Sequence, residues 1–132
     1  MLAMEDHRIL HTPEDAARIL IPLIGGLASE EAWLLCLGPD LSLLSVTKIA
    51  EGGADGVTIR PRDVVYAALH ASASFVVVAH NHPSGAGEPS GQDKAAASVL
   101  NDLLPRVGIR VLANLVIAGN TATDIRTGRK MA

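Results

Sequence analysis

The strongest constraint on the fold is the unbroken run Ser74-Phe75-Val76-Val77-Val78-Ala79-His80. β-branched residues in series favour extended backbone, and the lack of apolar/polar alternation means that both sides of the strand need cover. Such a strand belongs in the middle of a sheet with helices on its faces. The run therefore predicts an α/β domain with a mixed β-sheet flanked by helices.

The neighbouring segments supply those elements. Thr12-Pro13-Glu14-Asp15 has the chemistry of a helix start: Thr12 as N-cap, Pro13 at the first helical position and acids in the first turn. Ala16, Ile19, Leu20 and Leu23 then give a packing face before Gly25-Gly26 ends the helix. Ala32 to Leu37 and Leu41 to Val46, joined by Gly38-Pro39-Asp40, predict a β-hairpin. Glu51 to Gly56 is a glycine-rich loop, and Val57-Thr58-Ile59 is long enough only for a short edge strand. Pro61-Arg62-Asp63 opens a second helix with Val64, Val65, Ala68 and Leu69 on one face. A third helix runs from Ser90 through Ala96, Leu100 and Leu103 until Pro105 stops it, and Ile109 to Ala118 is the last strand. The tail Gly119 to Ala132, poor in large apolar residues, is expected to be loose or docked on a partner.

Composition narrows the function classes. A net charge of −3 offers no basic field for a polyanion, and one Trp, one Tyr and one Phe make no base-stacking platform, so a nucleic-acid partner is disfavoured. The single cysteine, Cys36, excludes an internal disulfide and any site needing paired thiolates, and it fits a reducing compartment. The acidic start Met1 to Asp6 lacks an export signal's pattern, and Ile19 to Leu27 falls short of a membrane span, so the chain is expected to be cytoplasmic with no membrane partner.

Chemistry concentrates where the central strand ends. In His80-x-His82 a period of two puts both imidazoles on one side, with Cα atoms roughly 6.5 Å apart, close enough to converge on one ion. Pro83 keeps His82 extended. Ser90 and Asp93 follow at the third helix's start, and two histidines with one carboxylate leave a fourth tetrahedral position open, as in a catalytic zinc site. Each half also has a bland explanation: strand-end histidines bond to loop backbone, and Ser-x-x-Asp is close to a capping box that needs no metal. His7, His11 and His70 are read as surface or locally bonded histidines, and Cys36 as a small buried hydrophobe.

His80-Asn81-His82-Pro83-Ser84-Gly85, with Glu88-Pro89-Ser90 and Asp93, closely resembles the RadC-type branch of the JAB/MPN+ (JAMM) metalloprotease domains. The spacing His-x-His, seven residues, Ser, two residues, Asp is kept throughout. A weaker resemblance extends over residues 29–119, flanked by an N-terminal helical segment, 1–28, and a C-terminal tail, 120–132. It includes Arg60-Pro61-Arg62-Asp63-Val64 and Gly108-Ile109-Arg110-Val111-Leu112. The resemblance implies the JAB/MPN (cytidine-deaminase-like) fold and a Zn2+ ion held by His80, His82 and Asp93, with Ser90 beside it. It also implies a general-base glutamate at the start of the first strand. An ungapped match through Leu37 selects Glu30, whereas alternation with Trp33 favours Glu31.

The implied activity is metal-assisted hydrolysis of a peptide or isopeptide-linked protein substrate. Glu30 would move the proton of the attacking water, and Ser90 would donate to the developing oxyanion. Two other readings remain: a non-catalytic binding domain that keeps the fold, and a DNA-repair accessory protein, as the family's historical name has it. The acidic charge argues against the second, and the 29 residues before Glu30 are too few for the helix-hairpin-helix module common upstream in full-length relatives. Ala113-Asn114 also stands where those relatives often carry Asp-His. Substrate choice is expected to lie in segments 51–56 and 84–88, and the sequence leaves the oligomeric state open.

Overall fold

The apolar run forms strand β4 (Phe75–Asn81). In the computed structural model, which describes residues 8–52 and 56–131 and the backbone alone of Leu2–Ala3, β4 is the fourth of seven strands in one mixed sheet. It pairs antiparallel with β2 (Glu31–Leu37) and parallel with β5 (Arg110–Ala118). Outside β2 lie β3 (Leu43–Glu51) and the two-residue β1 (Leu2–Ala3), and outside β5 lie β6 (Thr121–Asp124) and the two-residue β7 (Lys130–Met131). His7 and the middle of the glycine-rich loop, 53–55, lie outside the described residues.

Both faces of the sheet are covered, as the sequence of β4 requires. Val77 and Ala79, with Leu35, Leu115 and Ile117, pack against Ala16, Leu20 and Ile24 of helix α1 (Pro13–Ile24). Val76 and Val78, with Leu34 and Cys36, pack against Val64 and Ala68 of α2 (Pro61–His70) and Leu100 of α3 (Gly91–Leu103). Alternation along the strand thus assigns His80 to the side of α2 and α3. Thr12 caps α1 as expected, its hydroxyl accepting from the Asp15 N–H while Asp15 accepts from Thr12. Pro105 ends α3 by converting its continuation into a 3-10 turn, Leu104–Val107, closed by Gly108 at φ +79°.

Two expectations need correction. The tail from Gly119 is neither loose nor waiting for a partner: β6 takes up the free edge of β5, and β7 pairs with β6. Backbone hydrogen bonding, to which composition is blind, recruits it, and Ala122, Ile125 and Met131 suffice to bury its inner side. Its turn is self-capped, with the Asp124 carboxylate accepting from the N–H groups of Arg126 and Thr127. The second correction concerns Val57-Thr58-Ile59, which is not a strand. The Val57 N–H is taken by a side chain, the Glu30 carboxylate, at 2.8 Å.

Among the described residues, no helix is long and apolar enough to cross a membrane.

Candidate metal centre

His80 sits at the carboxyl end of β4, and His82 follows after the strand has ended, still tied to the sheet by its N–H donating to the Ile117 carbonyl. The turn after it, Pro83-Ser84-Gly85, closes with the Gly85 N–H on the His82 carbonyl, and Gly85 takes φ +84°. This brings the Ala86 carbonyl to 2.8 Å from His82 Nδ1. A proton on Nδ1 therefore donates to that carbonyl and leaves Nε2 with its lone pair free, the arrangement that orients a metal-binding imidazole.

Asp93 arrives from the opposite side on the first turn of α3. Its Oδ1 lies 3.1 Å from His80 Nε2 and its Oδ2 3.2 Å from His82 Nε2. Tetrahedral ligands at 2.0–2.1 Å from one ion stand about 3.3 Å apart, and each histidine meets a different oxygen of the carboxylate at about that separation. The three groups offer ligand atoms that all lie within 4.8 Å of one another. His80 Nε2 is buried, and its approach to Asp93 lacks hydrogen-bond direction, so it is left without a hydrogen-bond partner. An orphaned buried nitrogen is costly unless something else takes its lone pair, and an ion does so.

The helix cap and the ligand set are one structure. Ser90 Oγ accepts from the Asp93 N–H at 3.0 Å, while Asp93 Oδ2 accepts from the Ser90 N–H at 2.8 Å. The capping box aims the Asp93 carboxylate at the two histidines, and the Ser90 hydroxyl proton remains free to donate. Burial works against charge on Asp93, but the His80 imidazole and the Ser90 N–H and hydroxyl outweigh it, holding the carboxyl well below the usual carboxylate range. The residue is thus anionic at neutral pH.

The two candidate bases point in opposite directions. Glu31 accepts from the Trp33 indole at 2.9 Å and lies with Trp33, which packs on the α1 side of the sheet. Glu30 directs its carboxylate to the N–H of Val57, a residue that lines the same cavity as His80 and Asp93. Ala32 is paired with His80 across β2 and β4, and continuing that register sets Glu30 opposite His82. Gly56, at φ +99°, makes this possible, because a Cβ there would fall 2.6 Å from Glu30 Oε2.

Sequence reasoning passed over Asn81, between the two histidines. It is buried, its Oδ1 accepts from the Glu31 N–H at 2.7 Å, and its Nδ2 donates to the Ser29 carbonyl at 3.0 Å. The carboxamide thus grips the backbone on both sides of Glu30. The available signal was a polar residue inside a buried strand, where an amide must find partners. His11 lends its backbone N–H to Asp15, and His70 stacks on Tyr66, so neither lies in the site. Burial raises the Cys36 thiol above its ordinary pKa.

Two histidines at the end of a central strand and an aspartate on a capped helix start define an α/β domain of the JAB type that could hold a metal ion. The profile of the RadC-like JAB domain matches residues 10–129, and the chain belongs to that family. It is 38% identical over 108 residues to a UPF0758 protein of Alcanivorax borkumensis, covering 82% of this chain and 48% of the relative. A UPF0758 protein of Desulforudis audaxviator is 32% identical over 117 residues, 89% of this chain and 51% of its own length. One from Saccharophagus degradans is 39% identical over 96 residues, 73% and 43% of the two chains. The chain spans about half the length of these curated relatives.

Proposed function

We propose that this domain is a zinc-dependent hydrolase of peptide or isopeptide bonds. The observation that carries the reading is the convergence of His80 Nε2, His82 Nε2 and the Asp93 carboxylate, with His80 Nε2 buried and otherwise unpartnered. His80, His82 and Asp93 would hold the ion, which when bound supplies Lewis acidity and makes water acidic enough to furnish a nucleophile near neutral pH.

The chain's own groups do the rest. Glu30, held on the same side of the sheet as the ligands by Asn81 and the Val57 N–H, takes the proton of the attacking water and returns it to the departing amine. A positioned base of this kind contributes about 10²–10⁴-fold. Ser90 donates its free hydroxyl proton to the oxygen of the amide as negative charge develops there. The Ala86 carbonyl keeps His82 in the tautomer that presents Nε2.

The test is elemental analysis of protein purified without chelator or affinity tag, wild type against a His80→Ala/His82→Ala double variant, followed by a peptide and isopeptide library with Glu30→Gln as control. The expected result is about one zinc per chain, lost in the double variant but kept in Glu30→Gln, with cleavage by wild type alone. Absence of metal in the wild type after zinc addition would overturn the reading. So would cleavage that Glu30→Gln retains in full.

A further inference from the structure

Beside the three ligand groups a cavity of about 200 Å³ opens between the sheet and α3. His80 and Asp93 line it together with Ile59, Val78, Ala97, Leu100 and Ile125. Val78 and Leu100 are each 2% exposed, so part of its wall belongs to the core. Asn114, also in the wall, has its amide nitrogen engaged by Asn101 Oδ1 at 3.2 Å. Asp93 is the sole ionisable carboxylate lining the cavity among the described residues, and no lysine or arginine joins it. Thr58 and Gln92, both exposed, lie at its rim.

We propose that this cavity is the pocket for the substrate side chain flanking the scissile amide, and that it selects an uncharged aliphatic or phenyl group. The inference rests on the hydrolase reading above, because it needs an amide held at His80, His82 and Asp93. Size and polarity set the class of occupant. A dry cavity of about 150 Å³ lined by aliphatic side chains holds a benzene ring, so this one takes a leucine- to phenylalanine-sized group. A charged side chain entering it finds no lysine or arginine and no carboxylate but Asp93, which is committed to the histidines, among the lining side chains, and loses its hydration. His80 and Asp93 are themselves part of the lining, so a side chain seated in the pocket lies next to the ligand groups. That continuity makes it part of the reaction site and not a packing gap in the core.

The experiment uses the zinc-loaded full chain and three neutral metal-binding amide analogues, with affinities read by calorimetry. Acetohydroxamate lacks a side chain, isovalerohydroxamate carries a branched group on the acyl side, and N-isobutylacetohydroxamate carries one on the nitrogen side. One of the two branched compounds is expected to bind at least about tenfold more tightly than acetohydroxamate, from burial of its added carbons at about 0.8 kcal/mol each. Ala96→Phe, from the half-buried flank of the cavity, and Thr58→Phe, from its exposed rim, are each expected to abolish that gain while leaving acetohydroxamate affinity unchanged. Equal binding of all three compounds, or a gain that survives both substitutions, would overturn the pocket while leaving the hydrolase reading intact. Zinc uptake without acetohydroxamate binding would refute the hydrolase site and the pocket with it.

Discussion

The Glu30 carboxylate is placed by the Val57 N–H and by the bare Cα of Gly56. Gly56→Ala would place a methyl group 2.6 Å from Glu30 Oε2 at φ +99°, where an alanine is itself strained. The carboxylate must swing away from Val57 while His80, His82 and Asp93 stay in place. The expected outcome is full zinc content by elemental analysis with turnover of a cleavable peptide reduced by about tenfold or more, a fraction of the base's whole contribution. Asn81→Ala acts on the same residue from the other side. It strips partners from the Glu31 N–H and the Ser29 carbonyl, and urea unfolding of the metal-free protein should show a loss of about 1–3 kcal/mol. At this scale the sequence displayed His80, His82, Ser90 and Asp93 plainly, because their spacing is local and period-bound. The choice between Glu30 and Glu31 was undecidable locally, since it turns on which face of β2 each side chain takes, and that depends on register with β4.

At the scale of elements, the capped helices were legible and the edges of the sheet were not. Thr12 and Asp15 cap α1 reciprocally, as Ser90 and Asp93 cap α3, and both caps are written within four residues. The His11 N–H is the largest influence lowering the Asp15 pKa, joined by Thr12 and Arg18. A carboxyl depressed in the folded state adds stability above its unfolded pKa of about 3.9 and loses it as pH falls through its folded value. Asp15→Asn should therefore destabilise the protein at pH near 7, and the gap from wild type should narrow below about pH 4 in thermal melts. Thr12→Ala removes the partner cap and should cost about 1 kcal/mol near neutral pH. By contrast, Val57-Thr58-Ile59 has strand-like residues but no strand, because its first N–H was claimed by Glu30, 27 positions earlier in the chain.

At the scale of the whole molecule, the N-terminal helix and the C-terminal hairpin meet in one core, where Ala122 and Met131 join Ala16, Leu20 and Ile24. Ala16, Ala17, Leu20 and Ile24 of α1 are fully buried beneath β4 and β5. Leu20→Ala should accordingly cost about 2–5 kcal/mol in denaturant unfolding, a core-sized loss from a segment outside the motif-bearing region. A divalent ion bound only by the folded state adds stability by mass action, about 2.7 kcal/mol when its concentration is a hundred times Kd. Zinc should raise the melting temperature of wild type, EDTA should reverse the rise, and the His80→Ala/His82→Ala variant should respond to neither.

The sequence by itself determined the central strand, the three helices, the caps of α1 and α3 and the candidate ligands. Each of these rests on interactions within a few residues or on a hydrophobic period, and both are visible in one dimension. Tertiary structure decided the rest: that β6 and β7 extend the sheet, that Glu30 turns to the Val57 N–H while Glu31 turns to Trp33, and that Asn81 fastens the one strand to the other. The placements of Glu30 and Asn81 depend on backbone donors and acceptors meeting side chains 27 to 52 residues away. Any carboxylate or strand edge could serve them, and only the folded register says which one does.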